Sequence, residues 1–244
     1  HLAALNVVPV EATAADFLKW LESTAHQLPP LEDVLRETLP SVVALFESAG
    51  KRGQTIPALF SLGEAFHLVP AALASGEHRS FYLLGATPRW EDIFANLDAP
   101  RDITDVLYAE IEAILERPPE PRVLALLGSA GCGKSTILHR LAVRLSQAGR
   151  LALVTDSEAL PECPVVAQAL QRLPARAVLL FDNAEVALGM LPDIVEACRG
   201  LGKPPVCVIA SRLNDYDRRA ARLQRAIDVR EHEVPHLTRP EITS

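Results

Sequence analysis

Short apolar runs alternate with longer amphipathic segments along the second half of the chain. Between two of the runs, Ile137, Leu138, Leu141 and Leu145 repeat at helical spacing until Gly149. Such alternation is typical of an α/β fold, so we predict a parallel sheet with helices on both faces. The runs, which have the length of buried strands, are residues 123–127, 151–155, 177–181, 206–210 and 227–229.

The first half of the chain has a different pattern. Residues 5–10 are typical of a short strand, and Thr13 with Asp16 three positions later starts a helix. A lone strand and helix cannot bury their own apolar faces, so we expect residues 1–28 to be the C-terminal remnant of an upstream domain. Prolines and glycines interrupt residues 29–80, which we predict to be a helical connector. We then expect a helical segment at 81–120 and the α/β core at 121–244.

Composition excludes several classes of protein. The 244 residues are 49% apolar and 23% charged, which is enough to bury a full core. No apolar run reaches the ~20 residues of a membrane span, and no leader pattern opens the chain, so we expect a cytoplasmic protein without a membrane partner. The four cysteines show neither C-x-x-C pairing nor a neighbouring histidine cluster, so they indicate neither a disulfide framework nor a zinc site.

The net charge of −7 argues against a protein that binds nucleic acid over its whole surface. A local patch is still available, because Arg218, Arg222 and Arg225 fall on one helical face with Arg219 beside them. This stripe could contact nucleic acid, a neighbouring subunit or only water, and the last interpretation is the commonest for charge runs. A nucleic-acid partner is therefore left open but not favoured.

The segment after the first apolar run fits the phosphate-loop pattern G-x-x-x-x-G-K-[ST], with a strand before it and a helix after it. Its glycines allow backbone N–H groups to turn towards phosphate oxygens, and the helix N-terminus adds partial positive charge. We expect Lys134 to reach the β- and γ-phosphates, Ser135 to hold Mg²⁺, and Thr136 to touch the α-phosphate. The predicted nucleotide-binding residues of the loop are Gly128, Ser129, Ala130, Gly131, Cys132, Gly133, Lys134, Ser135 and Thr136.

Two further runs end in residues that suit nucleotide chemistry. The run at 177–181 is followed by Asp182, the Walker B pattern, and we predict that this carboxylate holds Mg²⁺ through water. Glu185 lies three positions later and is the candidate to orient or deprotonate the attacking water. The run at 206–210 is followed by Ser211 and Arg212.

In this order, the phosphate loop, Asp-Asn-Ala-Glu and strand-Ser-Arg together resemble the STAND class of AAA+-related ATPases, which includes the NACHT and NB-ARC families. The resemblance implies that the strand before Arg212 lies between the phosphate-loop strand and the Walker B strand. It also implies that Arg212 faces the γ-phosphate as a nucleotide sensor, so that Lys134, Glu185 and Arg212 form the catalytic set. It further implies ATP and ADP as ligands, a homo-oligomer on activation, an unknown trigger ligand and an effector domain upstream in the same chain.

Departures from the class refine these expectations. The acidic motif lacks the further acid that NACHT proteins usually carry, so we expect slow hydrolysis. From the resemblance, we expect the sequence to end at Ser244 before the helical and winged-helix lid of the class. Residues 1–28 are similar to the end of the sirtuin-like domains fused to STAND ATPases in prokaryotic antiphage systems, which implies a role in antiviral defence.

The alternatives are a DNA-metabolism ATPase of the AAA+ type and a scaffold whose nucleotide is purely structural. ATP is favoured over GTP because no N-K-x-D run is found in the sequence. For the base, two interpretations stay open. Either Trp90 or Arg101 flanks the adenine, or Trp90 is a core residue and Arg101 a solvated one.

Overall fold

The apolar runs predicted as strands form one sheet in the computed structural model of the protein. The structure describes residues 65–69, 89–117, 120, 122–155, 160, 162–173, 175–182, 184–185, 187–199 and 202–235. All of these lie in one of the chain's two compact units, Leu39–Ser244. The predicted upstream remnant at 1–28 lies outside the described residues, as does most of the connector at 29–80.

Strands and helices alternate along the core, as the pattern predicts. The strands are β1 (His67–Leu68), β2 (Arg122–Leu127), β3 (Leu151–Thr155), β4 (Ala177–Phe181), β5 (Val206–Ser211) and β6 (Val229–Glu233). The helices are α1 (Trp90–Phe94), α2 (Asp102–Leu115), α3 (Lys134–Gln147), α4 (Cys163–Arg172), α5 (Ala187–Cys198), α6 (Leu213–Arg219) and α7 (Ala221–Ala226).

The strand order in the sheet is β1-β3-β4-β5-β2-β6. Strands β2 to β6 pair in parallel, which confirms the predicted α/β sheet. Strand β1 differs, because it pairs antiparallel with β3 and comes from the region predicted to be a helical connector. That connector therefore contributes a strand to the sheet edge.

Helices cover both faces of the sheet. Alternate residues of each strand point to opposite sides, so each apolar strand has two faces to bury. One core cluster joins one face of the strands to α4, α5, α6 and α7, and includes Phe181, Leu188 and Tyr216. The other joins the opposite face to α1, α2 and α3, and includes Ile111 and Leu138. The predicted helices on both faces are thus confirmed, and the sheet is buried between two layers.

The last strand lies two residues beyond the predicted run at 227–229. Strand β6 begins at Val229, and four of its five residues are charged or titratable. Its position at the sheet edge explains this sequence, since its side chains are half-buried or exposed. Within the described residues, no helix is both long and apolar enough to cross a membrane.

Candidate functional site

The loop between β2 and α3 has a backbone that suits glycine. Gly131 and Gly133 have φ values of 74° and 90°, in the left-handed region that other residues rarely adopt. A Cβ atom on Gly128 would lie 2.7 Å from the Sγ atom of Cys132, so a side chain at that position would force the loop to move. The three glycines of the predicted phosphate loop are therefore needed for its shape.

The helix that follows the loop presents a positive end. Helix α3 begins at Lys134 and has 14 residues, with no acidic side chain in its first turn. Ser129, Ala130 and Gly131 of the preceding loop are exposed. An uncompensated helix N-terminus beside an exposed, glycine-rich loop can accept an anion such as a phosphate group.

Lys134 lies across this loop. Its Nζ atom donates to the carbonyl oxygens of Gly128 at 3.0 Å and Ser129 at 2.7 Å. It also lies 3.7 Å from the Sγ atom of Cys132. These contacts hold a positive charge over the start of the loop, where an anionic ligand would meet it.

The two predicted metal ligands are brought together. Asp182 follows β4 directly, and its backbone N–H donates to the carbonyl of Thr155 at 2.8 Å. The hydroxyl of Ser135, in the first turn of α3, donates to Oδ1 of Asp182 at 3.0 Å. A hydroxyl beside a carboxylate is an all-oxygen arrangement of the kind that Mg²⁺ prefers.

Glu185 lies in the turn between β4 and α5. The turn is fixed by a hydrogen bond from the Ala184 N–H to the carbonyl of Ala210, near the end of β5, at 3.0 Å. The carbonyl of Glu185 accepts a second bond from Nη1 of Arg219, at 2.8 Å. The backbone that carries the predicted water-activating acid is therefore held from two sides. Arg219 was missed as a contributor because 34 positions separate it from Glu185.

Arg212 comes directly after β5, which lies between β4 and β2 in the sheet. This is the strand order that the resemblance implies. The N–H of Gly128 donates to the carbonyl of Ser211 at 3.3 Å, so the loop begins beside the residue that precedes Arg212. The structure thus gathers the segments of Gly128, Asp182 and Arg212 at the carboxyl ends of neighbouring parallel strands. Arg212 itself is exposed, at the N-cap of α6.

Helix α6, which follows Arg212, is anchored to β6. The hydroxyl of Tyr216 donates to Oε1 of Glu231 at 2.9 Å, and Nε2 of Gln224 donates to the same oxygen at 2.9 Å. Burial, followed by the bond to Glu231, raises the pKa of Tyr216 to about 12. The phenol therefore stays neutral at physiological pH, and α6 has a fixed position on the sheet.

The segment that precedes the loop is clamped onto α3. The Trp90 ring packs against His139 with a centroid separation of 4.4 Å. Arg140 donates to the carbonyl of Ile93 at 2.6 Å, to Oδ1 of Asn96 at 2.9 Å and to Oδ2 of Asp98 at 2.9 Å. The Asp98 side chain is only 3% exposed and that of Arg140 is 19% exposed, so this ion pair is partly buried. The sequence carries no signal for Arg140, because its partners lie more than 40 positions away.

Trp90 and Arg101 occupy different environments. Trp90 is half-buried and packs against one of the two core clusters. Arg101 is not the solvated residue of one interpretation, because its guanidinium donates to the carbonyls of Cys132 and Pro235. It is a neighbour of the phosphate loop.

The arginine stripe is not one continuous helical face. Helix α6 ends at Arg219 and α7 begins at Ala221, so the predicted helix is divided at Ala220. Arg222 is also engaged, since it forms an ion pair with Asp193 of α5. These internal contacts leave a smaller basic surface than the sequence predicts.

Comparisons with known proteins give one family match. The sequence matches the family described as Novel STAND NTPase 5 over residues 80–224, more than half of the chain. A search of curated proteins finds no match. Among solved structures, C. elegans PCH-2 is similar with 15% identity and a TM-score of 0.43, covering 61% of this chain but only 47% of that chain. A chain of the E. coli MS115-1 HORMA:CdnC:Trip13 complex is similar with 11% identity and a TM-score of 0.42, covering 64% of this chain and 69% of that one.

Proposed function

Because the chain belongs to the STAND NTPase family described as Novel STAND NTPase 5, we propose that it is a nucleotide-dependent switch which binds ATP with Mg²⁺ at the phosphate loop. The observation that carries this proposal is the pairing of Ser135 with Asp182 at 3.0 Å beside a loop of two positive-φ glycines. Both predicted metal ligands and the predicted phosphate cradle thus lie at one end of the sheet. The residues present fit the nucleotide and the metal.

Each residue has a role in this proposal. The backbone of residues 128–133 and the start of α3 would bind the phosphates, and Lys134 would neutralise their charge. Ser135 and Asp182 would hold Mg²⁺, and the bound ion would supply positive charge beside the phosphate oxygens. Glu185 would orient or deprotonate water, and Arg212 would distinguish ATP from ADP. Thr136 would contact the α-phosphate.

The finer parts of the proposal rest on the family resemblance. We propose slow hydrolysis, because only Glu185 is offered as a base in the turn after Asp182. We also propose that nucleotide binding and an unidentified trigger promote oligomerisation, which activates an effector domain upstream in the same chain. The most specific parts of the proposal are a cytoplasmic role in antiviral defence and a sirtuin-like effector domain.

The two alternatives have less support. A DNA-metabolism ATPase would need the arginine stripe as its contact, but Arg219 and Arg222 bind groups within the chain. A scaffold with a structural nucleotide would not need a residue that activates water. The two hydrogen bonds that hold the turn of Glu185 would then have no role in its function. Measured phosphate release would separate that scaffold from the switch.

The test is nucleotide binding by a Lys134→Ala variant. We expect a fluorescent ATP analogue to bind the parent chain in the presence of Mg²⁺ and to lose its affinity for the variant, because the loop loses its point charge. Lys203→Ala is the matched control, since it removes an exposed lysine just before β5, at the end of the strands opposite to the phosphate loop. Equal affinity of the parent and a folded Lys134→Ala variant would refute the phosphate-loop assignment.

A further inference from the structure

Arg101 joins three segments that are distant in the sequence. It is the N-cap residue of α2 and is half-buried. Its Nη1 atom donates to the carbonyl of Cys132 in the phosphate loop at 3.3 Å. Its Nη2 atom donates to the carbonyl of Pro235, two residues after β6, at 2.5 Å. One guanidinium thus connects the start of α2, the loop and the chain that leaves the sheet.

The chain that leaves the sheet also touches the loop directly. We call Val234 and Pro235 the exit segment. The N–H of Val234 donates to the carbonyl of Leu127, the residue before the loop, at 2.7 Å. A Cβ atom on Gly128 would lie 3.3 Å from the Cβ of Val234. The exit segment is therefore packed on the first glycine of the loop, so a movement of either one displaces the other.

The chemistry of the bridge requires arginine. A planar guanidinium presents several N–H donors in a fixed fork, so it can hold two carbonyl oxygens at a set distance. A lysine ammonium is a point charge on a flexible stem, and it would not fix both segments in the same way. Both carbonyls belong to irregular backbone outside helices and strands, so the side chain supplies a connection that secondary structure does not.

We propose that Arg101 is a positioning residue that couples the conformation of the phosphate loop to the exit segment. The proposal rests on nucleotide binding at the loop, as proposed above. A ligand that changes the backbone at Cys132 changes the acceptor of Nη1. The guanidinium then moves, and its bond to the Pro235 carbonyl changes with it. A conformational change in the loop is thus transmitted through the exit segment to the residues that follow it in the chain.

The test is hydrogen exchange of the full 244-residue chain, followed by mass spectrometry, with and without MgADP. In the parent protein we expect MgADP to slow exchange both in the loop amides and at the Val234 amide. In Arg101→Ala, the loop amides should still be protected, whereas the Val234 response to MgADP is weakened, because only the direct contact of Val234 with Leu127 and Gly128 is left. Without nucleotide, the exchange rate of the Val234 amide in Arg101→Ala should be about fivefold higher than in the parent. This is the factor that corresponds to the loss of one net hydrogen bond.

Two variants separate coupling from simple destabilisation. Arg117→Ala removes an exposed arginine just beyond the other end of α2 and should behave as the parent. Arg101→Lys keeps the charge and most of the side chain, and it should also weaken the Val234 response because it cannot bridge both carbonyls. This variant carries the test if Arg101→Ala does not fold.

The outcomes distinguish this proposal from the one it rests on. If MgADP protects the loop and the Val234 amide equally in the parent and in both Arg101 variants, Arg101 does not couple them and the inference is wrong. If MgADP leaves the loop amides of the parent unchanged, the proposed nucleotide site is wrong, and the inference fails with it.

Discussion

The hydroxyl of Ser135 donates to the carboxylate of Asp182 across 3.0 Å, although 47 positions separate the two residues. Ser135 lies in the first turn of α3, and Asp182 follows β4. The strand order places β5 between β4 and β2, so this pair spans the width of one intervening strand. The strand order therefore brings the two predicted metal ligands into contact, and under the proposed function a metal ion would meet a site that is already assembled.

The first prediction follows from this pair. Asp182→Asn keeps the shape of the side chain and an oxygen that can accept the Ser135 bond, but it removes the negative charge. We expect the apparent Mg²⁺ affinity in nucleotide binding to fall by about 10- to 100-fold, as for residues that act on a metal through an intervening group. Titration of Mg²⁺ against a fluorescent nucleotide measures this. Asp193→Asn, at an exposed position on α5, is the control, and an equal effect of both substitutions would show that Asp182 has no special role.

Glu185→Gln should leave ATP affinity unchanged and slow phosphate release by roughly 100-fold or more, because an amide cannot accept a proton from water. Single-turnover phosphate release, measured beside nucleotide binding, separates the two effects. Glu196→Gln on the outer side of α5 serves as the comparison. Undiminished hydrolysis in Glu185→Gln would mean that another group orients the water.

Arg212→Ala should reduce the preference for ATP over ADP by about tenfold, the lower end of what a hydrogen bond to a charged group contributes. The physical reason is that only ATP carries the γ-phosphate that this guanidinium is proposed to face. Affinities for both nucleotides are measured in the parent, in Arg212→Ala and in Arg225→Ala, which removes an exposed arginine of α7. An equal loss for the two nucleotides would make Arg212 a structural residue.

A maleimide reagent at neutral pH should label Cys132 before the other three cysteines. Burial raises the pKa of Cys163, raises that of Cys198 to about 11, and raises that of Cys207 further. Their thiols therefore stay protonated and react slowly at neutral pH, and labelling of Cys198 becomes faster only as the pH approaches 11. Mass spectrometry of the labelled peptides checks the order.

In the same experiment, saturating MgATP should slow the labelling of Cys132, because the ligand would cover the loop. Cys132→Ala should bind nucleotide normally and resist the reagent. A labelling rate of Cys132 that is unaffected by MgATP would indicate that the nucleotide does not lie over this loop.

The fold was predictable where a strand is apolar on both faces. The runs at 151–155 and 177–181 coincide with β3 and β4, because helices cover both sides of the sheet and every residue of these strands is buried. Strand β6 was misplaced for the opposite reason, since an edge position leaves its side chains partly in water and removes the apolar signal. The two residues of β1 are too few to form a pattern.

The candidate site was predictable where its chemistry lies in consecutive residues. The loop from Gly128 to Thr136 and the position of Asp182 follow from local motifs. The contacts of Arg101 and Arg140 do not, because each joins residues 31 to 134 positions apart through folding alone. An arginine that will bridge two carbonyls has the same sequence signature as one that will lie in solvent.

Strand β6 has a consequence for aggregation. It lies at one end of the described sheet and carries Arg230, Glu231, His232 and Glu233 in succession. A foreign strand that tried to extend the sheet at this border would have to desolvate charges or place like charges side by side. Amyloid-like growth from this border is therefore disfavoured.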